Sequence, residues 1–306
     1  MFQFLLRRLF GLVLVLLGIS FLVFAISKVT PGDPVKMMLG NRATPNDIAR
    51  LRLQLHLDDP LLVQYTKYMW GVLHGDLGRS YRGQTPVLQE ILLRVPASIE
   101  LGTAAFLFAL LVGLPAGLIA ARNHNGLLDG LVMLFAQVAI SVPEFWLAIV
   151  IVIVFGVQLG WIPITGGVGL KSLIAPAFCL GIGPAAVLAR LTRSSVLEVL
   201  QEDYVRTARA KGLRNVLINY RHIMRNALIP VVTFLGLLFA GLIGGAVFIE
   251  AVFARPGLGR FAILAINARD MPQVQGIVMF GAALYVLMNL LVDILYSVID
   301  PRIRIT

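Results

Sequence analysis

Six apolar runs punctuate the chain, at approximately residues 9–26, 99–121, 129–155, 173–190, 229–250 and 276–298. As helices, each is long enough to cross about 30 Å of hydrocarbon. The pattern predicts an all-α integral membrane protein with six transmembrane helices. The first run follows Arg7 and Arg8, and Ala25-Ile26-Ser27 at its end imitates a signal-peptide cleavage site. It exceeds the roughly 7–15 residues of a signal h-region, so it is read as a retained span.

Between the first and second runs the pattern changes. Residues 28–98 contain no spanning stretch. Thr44-Pro45 with Asp47 is a helix start, placing Ile48, Leu51 and Leu55 on one face. Pro60 opens a second helix carrying Leu61, Tyr65, Met69 and Val72, which Gly75-Asp76-Leu77-Gly78 breaks. Thr85-Pro86 starts a third that reaches toward Pro96. The predicted divisions are an N-terminal span (1–28), a helical insertion (29–98), a five-helix core (99–298) and a tail (299–306).

The longest polar interruption of the second half lies at 190–228. Its eight cations are Arg190, Arg193, Arg206, Arg209, Lys211, Arg214, Arg221 and Arg225. Each would cost about 2.5–3.5 kcal/mol at a bilayer centre, so the segment belongs in water or against a partner. Val196/Leu197, Leu200, Tyr204 and Ala208 recur at helical spacing as one apolar face. Glu202 stands four residues before Arg206, the favourable order for an ion pair on a helix. Gly212 is a stop signal, and Asn215 is placed to cap a second helix ending before Pro230. Thr207, Ala208, Ala210 and Gly212 are small enough to let another backbone approach. On pattern alone, an ordinary solvated loop helix fits as well as a docking element.

Composition agrees with the apolar runs. The 306 residues are 58% hydrophobic and 14% charged, with a mean hydropathy of +0.86, whereas soluble domains are about 25% charged. The net charge of +10 has a topological explanation. Short segments on one side hold Arg7, Arg8, Arg122, Arg302, Arg304 and the eight cations above, against Lys171, Arg255, Arg260 and Arg269 on the other. The positive-inside rule puts both termini and 190–228 in the cytoplasm and the 29–98 insertion outside as a cap. The nine cations of residues 28–98 do not oppose this, because long loops translocate largely regardless of charge. No aromatic-basic patch points to nucleic acid.

Candidate chemistry is sparse. Cys179 lies in an apolar run and reads as a small hydrophobe, and the four histidines have no metal-ligand spacing. Gly166-Gly167-Val168-Gly169-Leu170-Lys171-Ser172 imitates a phosphate loop, but Leu170 separates glycine from lysine and no strand precedes it. Catalytic residues are therefore expected to be none. Gly113/Gly117, Gly241/Gly245 and Ala240/Gly244 are small pairs four apart that permit close helix contact, while Pro115, Pro143, Pro176 and Pro184 should kink or break spans. Glu100, Glu144 and Glu250 fall near span ends or beside proline. Asp293, with Tyr285, Asn289 and Ser297, makes a polar stripe on the last span that either lines a path or ties helices together. Asn289, Asp293 and Ser297 are the candidates for a translocation path.

Arg206-Thr207-Ala208-x-x-x-Gly212 resembles the E-A-A-x-x-x-G loop of ABC importer permeases. The phrase DYVRTARAKGL followed by RNALIP is similar to the peptide/nickel subfamily, which includes dipeptide, oligopeptide, glutathione and nickel importers. Pro31-Gly32-Asp33-Pro34, Gly75-Asp76-x-Gly78-x-Ser80, Leu159-Gly160-Trp161-Ile162-Pro163 and Pro256-Gly257-Leu258-Gly259-Arg260 extend the resemblance over nearly the whole chain. Arg206 and Thr207 stand where Glu and Ala usually lead, and Pro230 lies farther from Gly212 than the general motif places its proline. Both departures resemble the peptide subfamily's own variant.

The resemblance implies a type I importer permease in a bacterial inner membrane, and an ATPase-coupling helix built from Glu202, Asp203, Tyr204, Arg206, Thr207, Ala208, Arg209, Ala210, Lys211 and Gly212. It further implies four sets of partners: a homologous second permease in a heterodimer, two ABC ATPase domains or subunits that hold ATP and Mg, an extracytoplasmic solute-binding protein, and the lipid bilayer. This chain itself would bind no cofactor and catalyse nothing. The implied cargo is dipeptides or short peptides, with glutathione or nickel as alternatives. A self-contained secondary transporter is the competing class, but no internal repeat or midplane acid pair supports it.

Overall fold

The computed structural model describes residues 2–30, 33–39, 44–54, 56–163, 169–214 and 217–299, without the side chains at 2–9, 34, 36, 219–220, 240, 243–245 and 293–299. In chain order its helices are α1 (Phe2–Val29), α2 (Pro34–Leu39), α3 (Pro45–Gln54), α4 (Leu61–Leu73), α5 (Val87–Arg122), α6 (Leu127–Ser141), α7 (Glu144–Ile151), α8 (Leu170–Leu200), α9 (Asp203–Ala210), α10 (Arg225–Gly245), α11 (Val247–Val252), α12 (Leu258–Asn267) and α13 (Met271–Ile299). Two π-helical stretches, Val152–Gln158 and Ile218–Met224, continue α7 and lead into α10. Among the described residues, five helices are long and apolar enough to cross a membrane, and six result if the bent pair α6 and α7 with its π-helical extension forms one crossing.

The bend is 94°, where the sequence predicts a single run over 129–155. Its cause is local. Pro143 disfavours helical backbone at the residue before it, and Val142 adopts φ −89°, ψ 121°. Elsewhere proline is absorbed. Pro176 and Pro184 lie inside α8, and Pro230 lies inside α10, so the predicted stop before Pro230 does not occur. Pro96 and Pro115 lie inside the 36-residue α5, which merges the predicted third insertion helix with the second span. Each such proline forfeits one backbone hydrogen bond, and packing along the helix sustains the axis. Asn215, the predicted cap of the second helix, and Leu55, Gly166, Gly167 and Val168 lie outside the described residues.

The chain divides into two compact units, Met1–Ala97 with Pro256–Leu290, and Ser98–Arg255 with Leu291–Thr306. In the first, α1 and α4 meet through Ser20 and Tyr65, whose hydroxyls lie 2.8 Å apart, and through the Phe24 ring against Tyr65 and Tyr68. Thr44 caps α3 as its sequence predicts. Its Oγ1 donates to Asp47 Oδ2 at 2.6 Å, its N–H donates to the same oxygen at 3.1 Å, and Asp47 N–H returns to Thr44 Oγ1 at 3.3 Å. Val87, Ile91, Phe261, Ala265 and Ile277 form this unit's core.

The loop after α4 is also part of the first unit. Gly75 and Gly78 take φ of +78° and +84°, and Asp76 Oδ1 accepts from Gly78 N–H at 2.9 Å. Ser80 is buried and donates to Asp270 Oδ2 at 2.5 Å, while Tyr81 N–H donates to Asp270 Oδ1 at 3.2 Å. Asp270 is only 1% exposed.

In the second unit α8 is the hub against which α6, α7, α10 and α11 pack. Close approach to α5 is written in glycine. A Cβ on Gly113 would lie 2.4 Å from the Ala185 carbonyl oxygen, and one on Gly117 would lie 2.4 Å from that of Ala189. The predicted small-residue contact therefore forms at this pair. Gly241 faces open space, and Ala240, Gly244 and Gly245 lie outside the described side chains. Two span-end acids are paired: Glu100 with Arg255 at 2.8 Å, and Glu250 with the Ser98 hydroxyl at 2.6 Å. Cys179 is buried in the apolar core beside Leu101, Ala105 and Ile249.

Candidate functional site

The predicted coupling segment folds as a helical hairpin, all of it in the second unit. α8 carries the chain as far as Leu200, Gln201 and Glu202 leave the helix, and α9 starts at Asp203. At eight residues α9 is about 12 Å long. The break shifts the helical phase. Val205 (0% exposed) and Ala208 (5%) are buried, whereas Tyr204 stands 38% exposed. The face predicted through Leu200, Tyr204 and Ala208 assumed one uninterrupted helix, and here it is corrected. Val205 and Ala208 enter a core made with Ala121 of α5, Val196 of α8, Ile218, Ile223 and Ala227.

The break also removes the predicted Glu202–Arg206 pair. Glu202 is the N-cap, with φ −65° and ψ 142°, so it lies off the helical surface, and Arg206 instead sits 3.6 Å from Asp203. The far end closes on Gly212 as predicted. Leu213 N–H reaches the Ala208 carbonyl at 3.3 Å and Gly212 N–H reaches that of Arg209 at 3.0 Å, with Gly212 at φ +72°. This pair of bonds is the Schellman motif, in which a left-handed residue satisfies carbonyls left over by the helix end. Asn226 Nδ2 donates to the Tyr204 hydroxyl at 2.9 Å, tying α9 to the returning helix.

Within the hairpin, Glu202, Asp203, Tyr204, Arg206, Thr207, Arg209, Ala210, Lys211 and Gly212 are exposed. Of the residues predicted to couple, Ala208 alone faces the chain's own core. Arg206, Arg209, Lys211, Arg214, Arg221 and Arg225 add exposed cations. Arg193 does not. Its Nε and Nη2 clamp both oxygens of the buried Asp129 at 2.5 and 2.7 Å, and Asn125 N–H adds a bond at 3.0 Å. Sequence reading missed this clamp, since its partners are 64 residues apart. It also missed Val205, Ile218 and Ile223, whose three-residue step from Val205 to Ala208 was the available signal. Arg190 donates to Gln137 Oε1 at 3.2 Å.

The predicted path residues are less fully placed. Asn289 is partly exposed on α13, and the side chains of Asp293 and Ser297 lie outside those described. One further acid stands out. Glu144, at the 94° bend, lines a cavity of about 590 Å³ with Pro143, Cys179, Gly183, Pro184 and Gly241.

Among solved structures, the fold is similar to chains of the MetNI methionine ABC transporter in inward-facing conformations, at 19% identity and a TM-score of 0.55 over 70% of this chain and 97% of that one. A second similar structure is an amino acid ABC transporter, at 18% identity and a TM-score of 0.54 over 70% and 94%. These neighbours share the fold of the all-helical bundle. Curated relatives cover the chain from end to end. A Brucella abortus (strain 2308) chain named for a peptide transport system permease is 44% identical over 98% of both chains. The dipeptide transport system permease proteins DppB of Alkalihalophilus pseudofirmus and Escherichia coli K12 are each 41% identical, over 99% of this chain and 100% and 99% of theirs. The model for the binding-protein-dependent transport system inner membrane component matches residues 113–305, and that family's N-terminal model matches residues 1–102. With both models matched in tandem and dipeptide permeases aligned throughout, the chain belongs to the peptide branch of the ABC importer inner-membrane permeases.

Proposed function

We propose that this chain is one of two homologous permeases of an ATP-driven importer of dipeptides or short peptides, gripped at α9 by a cytoplasmic ATPase that binds ATP and Mg. The observation that carries the reading is the division of labour within α9. Val205 and Ala208 anchor the helix in its own hairpin, which leaves a rigid cationic surface of small and charged residues free for another protein. Apolar anchoring makes such a helix a lever, because force applied to the exposed face passes to α5, α8 and α10 through a packed core. A solute-binding protein would deliver the peptide from the opposite side, where the 29–98 insertion is proposed to lie, with both termini in the cytoplasm.

Co-purification with the ATPase, read beside uptake of a labelled dipeptide, tests this. Ala210→Trp adds bulk on the exposed face and away from the hairpin core, so it should remove the ATPase from the complex and abolish uptake, leaving insertion and fold intact. Normal uptake by that variant would overturn the docking role. A cysteine at Arg82 should react with an impermeant thiol reagent from outside, and labelling from the cytoplasmic side alone would overturn the topology.

A further inference from the structure

The acid at the bend of α6 and α7 has no function in the account above. α6 is 15 residues long, about 22 Å, so a crossing that begins with α6 at one membrane face puts the side chain just beyond it within a hydrocarbon layer of about 30 Å. The α8 residues facing it, Cys179, Gly183 and Pro184, occupy the middle of that 31-residue helix. Depth and neighbours therefore agree. Glu144 is exposed and lines the cavity; among the described residues no Lys, Arg or His lines that space and none pairs with its carboxylate. The other two acids that the sequence places at span ends, Glu100 and Glu250, are both partnered.

An unpaired carboxylate at this depth is costly unless it meets water or a positive charge. The rest of the lining is apolar, and at Gly183 and Gly241 it presents no side chain, where a Cβ would meet nothing within 4 Å. A polar group standing alone in a roomy, otherwise apolar cavity orients whatever enters by that one contact. The break at Val142–Pro143 is what aims Glu144 there, because a straight helix would carry this position along the axis of α6.

We infer that Glu144 is a cation-recognising residue of the transport path, holding the positive group of a passing substrate, such as the free α-ammonium of a peptide. This rests on the transport reading and adds to it a selectivity set within the permease, separate from that of the receptor.

Two measurements on the assembled importer test it. In proteoliposomes with receptor and ATP, Ala-Ala uptake by the Glu144→Gln variant should be about tenfold slower than native, the scale of losing one charge pair in a partly hydrated site. Receptor-stimulated ATP hydrolysis should persist, and Glu144→Asp should recover most of the uptake. A purely structural role would instead lower complex yield and ATP hydrolysis together. Equal uptake by native and Glu144→Gln importers overturns the inference and leaves the transport reading standing; a native importer that moves no peptide removes the reading itself. In a Cys179→Ala background, the Glu144→Cys variant should react faster with a trimethylammonium-bearing methanethiosulfonate than with its sulfonate counterpart once a neighbouring acid is restored by Phe145→Glu, and peptide turnover should slow the reaction. No reaction with either reagent would place position 144 against lipid and overturn the inference.

Discussion

The α9 hairpin and the turn between α4 and α5 are both short segments that carry family-like motifs, and they are fixed by opposite means. α9 is held by two apolar side chains, Val205 and Ala208, inserted among others from α5, α8 and α10. The 75–86 turn closes on its own backbone bonds, such as Ser80 N–H to the Thr85 carbonyl, and is tied to the chain beyond it by one carboxylate, Asp270, which accepts from the Ser80 hydroxyl and the Tyr81 N–H. Apolar anchoring is spread over many weak contacts, so losing one methyl group weakens it without breaking it. A buried carboxylate concentrates the same task in two bonds, whose donors have no other acceptor once it is gone. A motif residue in the hairpin can thus serve a partner, whereas Ser80 serves the fold.

Asp270→Ala gives the largest separation between the two regions. It leaves one buried and one part-buried donor unsatisfied, at roughly 1–3 kcal/mol for the buried one, and should lower the melting temperature and admit trypsin at Arg79 and Arg82. Asp270→Asn keeps an acceptor and should lose much less. If Asp270→Ala left cleavage at those arginines unchanged, the carboxylate would not be what holds the turn.

Val205→Ala should cost about 2 kcal/mol, the transfer of two methyl groups plus the space they leave. Its signature should be faster amide exchange throughout α9, with the 75–86 turn undisturbed. Exchange confined to residue 205 would show that the hairpin core is not cooperative. Substituting Ala208 with a bulky side chain is a poor probe of the proposed ATPase contact, because it overpacks this same core.

How much of this the sequence discloses depends on how far apart the partners lie. The Thr44 cap, the Gly75 break and the Gly212 stop are legible because cause and effect fall within four residues. The Ser80–Asp270 bond spans 190 residues and the Asp129–Arg193 clamp spans 64, and no local pattern announces either. The end of α8 at Leu200 is illegible for a different reason. Gln201 and Glu202 are ordinary helix formers, and the chain turns there because Val205 and Ala208 gain more by entering the hairpin core than by continuing the helix. Proline is legible only in part: Pro143 breaks its span at 94° as its residue type predicts, whereas Pro96, Pro176, Pro184 and Pro230 ride inside helices whose flanks are packed.

Gly212 sharpens the hairpin side of the comparison at smaller scale. A Cβ there would meet nothing within 4 Å, so only the backbone at φ +72° resists substitution. Gly212→Ala should cost about 1 kcal/mol, and Gly212→Asn, which tolerates the left-handed region, should cost less. Equal ATPase coupling in the two variants, at unequal stability, would assign the glycine to the helix end alone. Unequal coupling that tracks side-chain size would assign it to the partner's surface.

The mildest effect isolates burial itself. Asp47 accepts from a hydroxyl at 2.6 Å and a backbone N–H at 3.1 Å, nearly the donor set of Asp270, but in full exposure at the head of α3. The Thr44 hydroxyl, then its N–H, hold the Asp47 carboxyl below its ordinary value of 3.8. A depressed carboxyl stabilises the folded state above its unfolded pKa, and that contribution fades as pH falls through the lower folded value. The cap on α3 should therefore persist at pH 5 and weaken below about pH 4, seen as accelerated amide exchange at Asp47 and Ile48. Thr44→Ala removes the hydroxyl and keeps the N–H donor, so it should weaken that pH dependence while barely moving the melting temperature, because water replaces what an exposed cap loses. If Thr44→Ala destabilised the protein as much as Asp270→Ala, the difference between the two carboxylates would not be burial, and the contrast between the turn and the hairpin would need another cause.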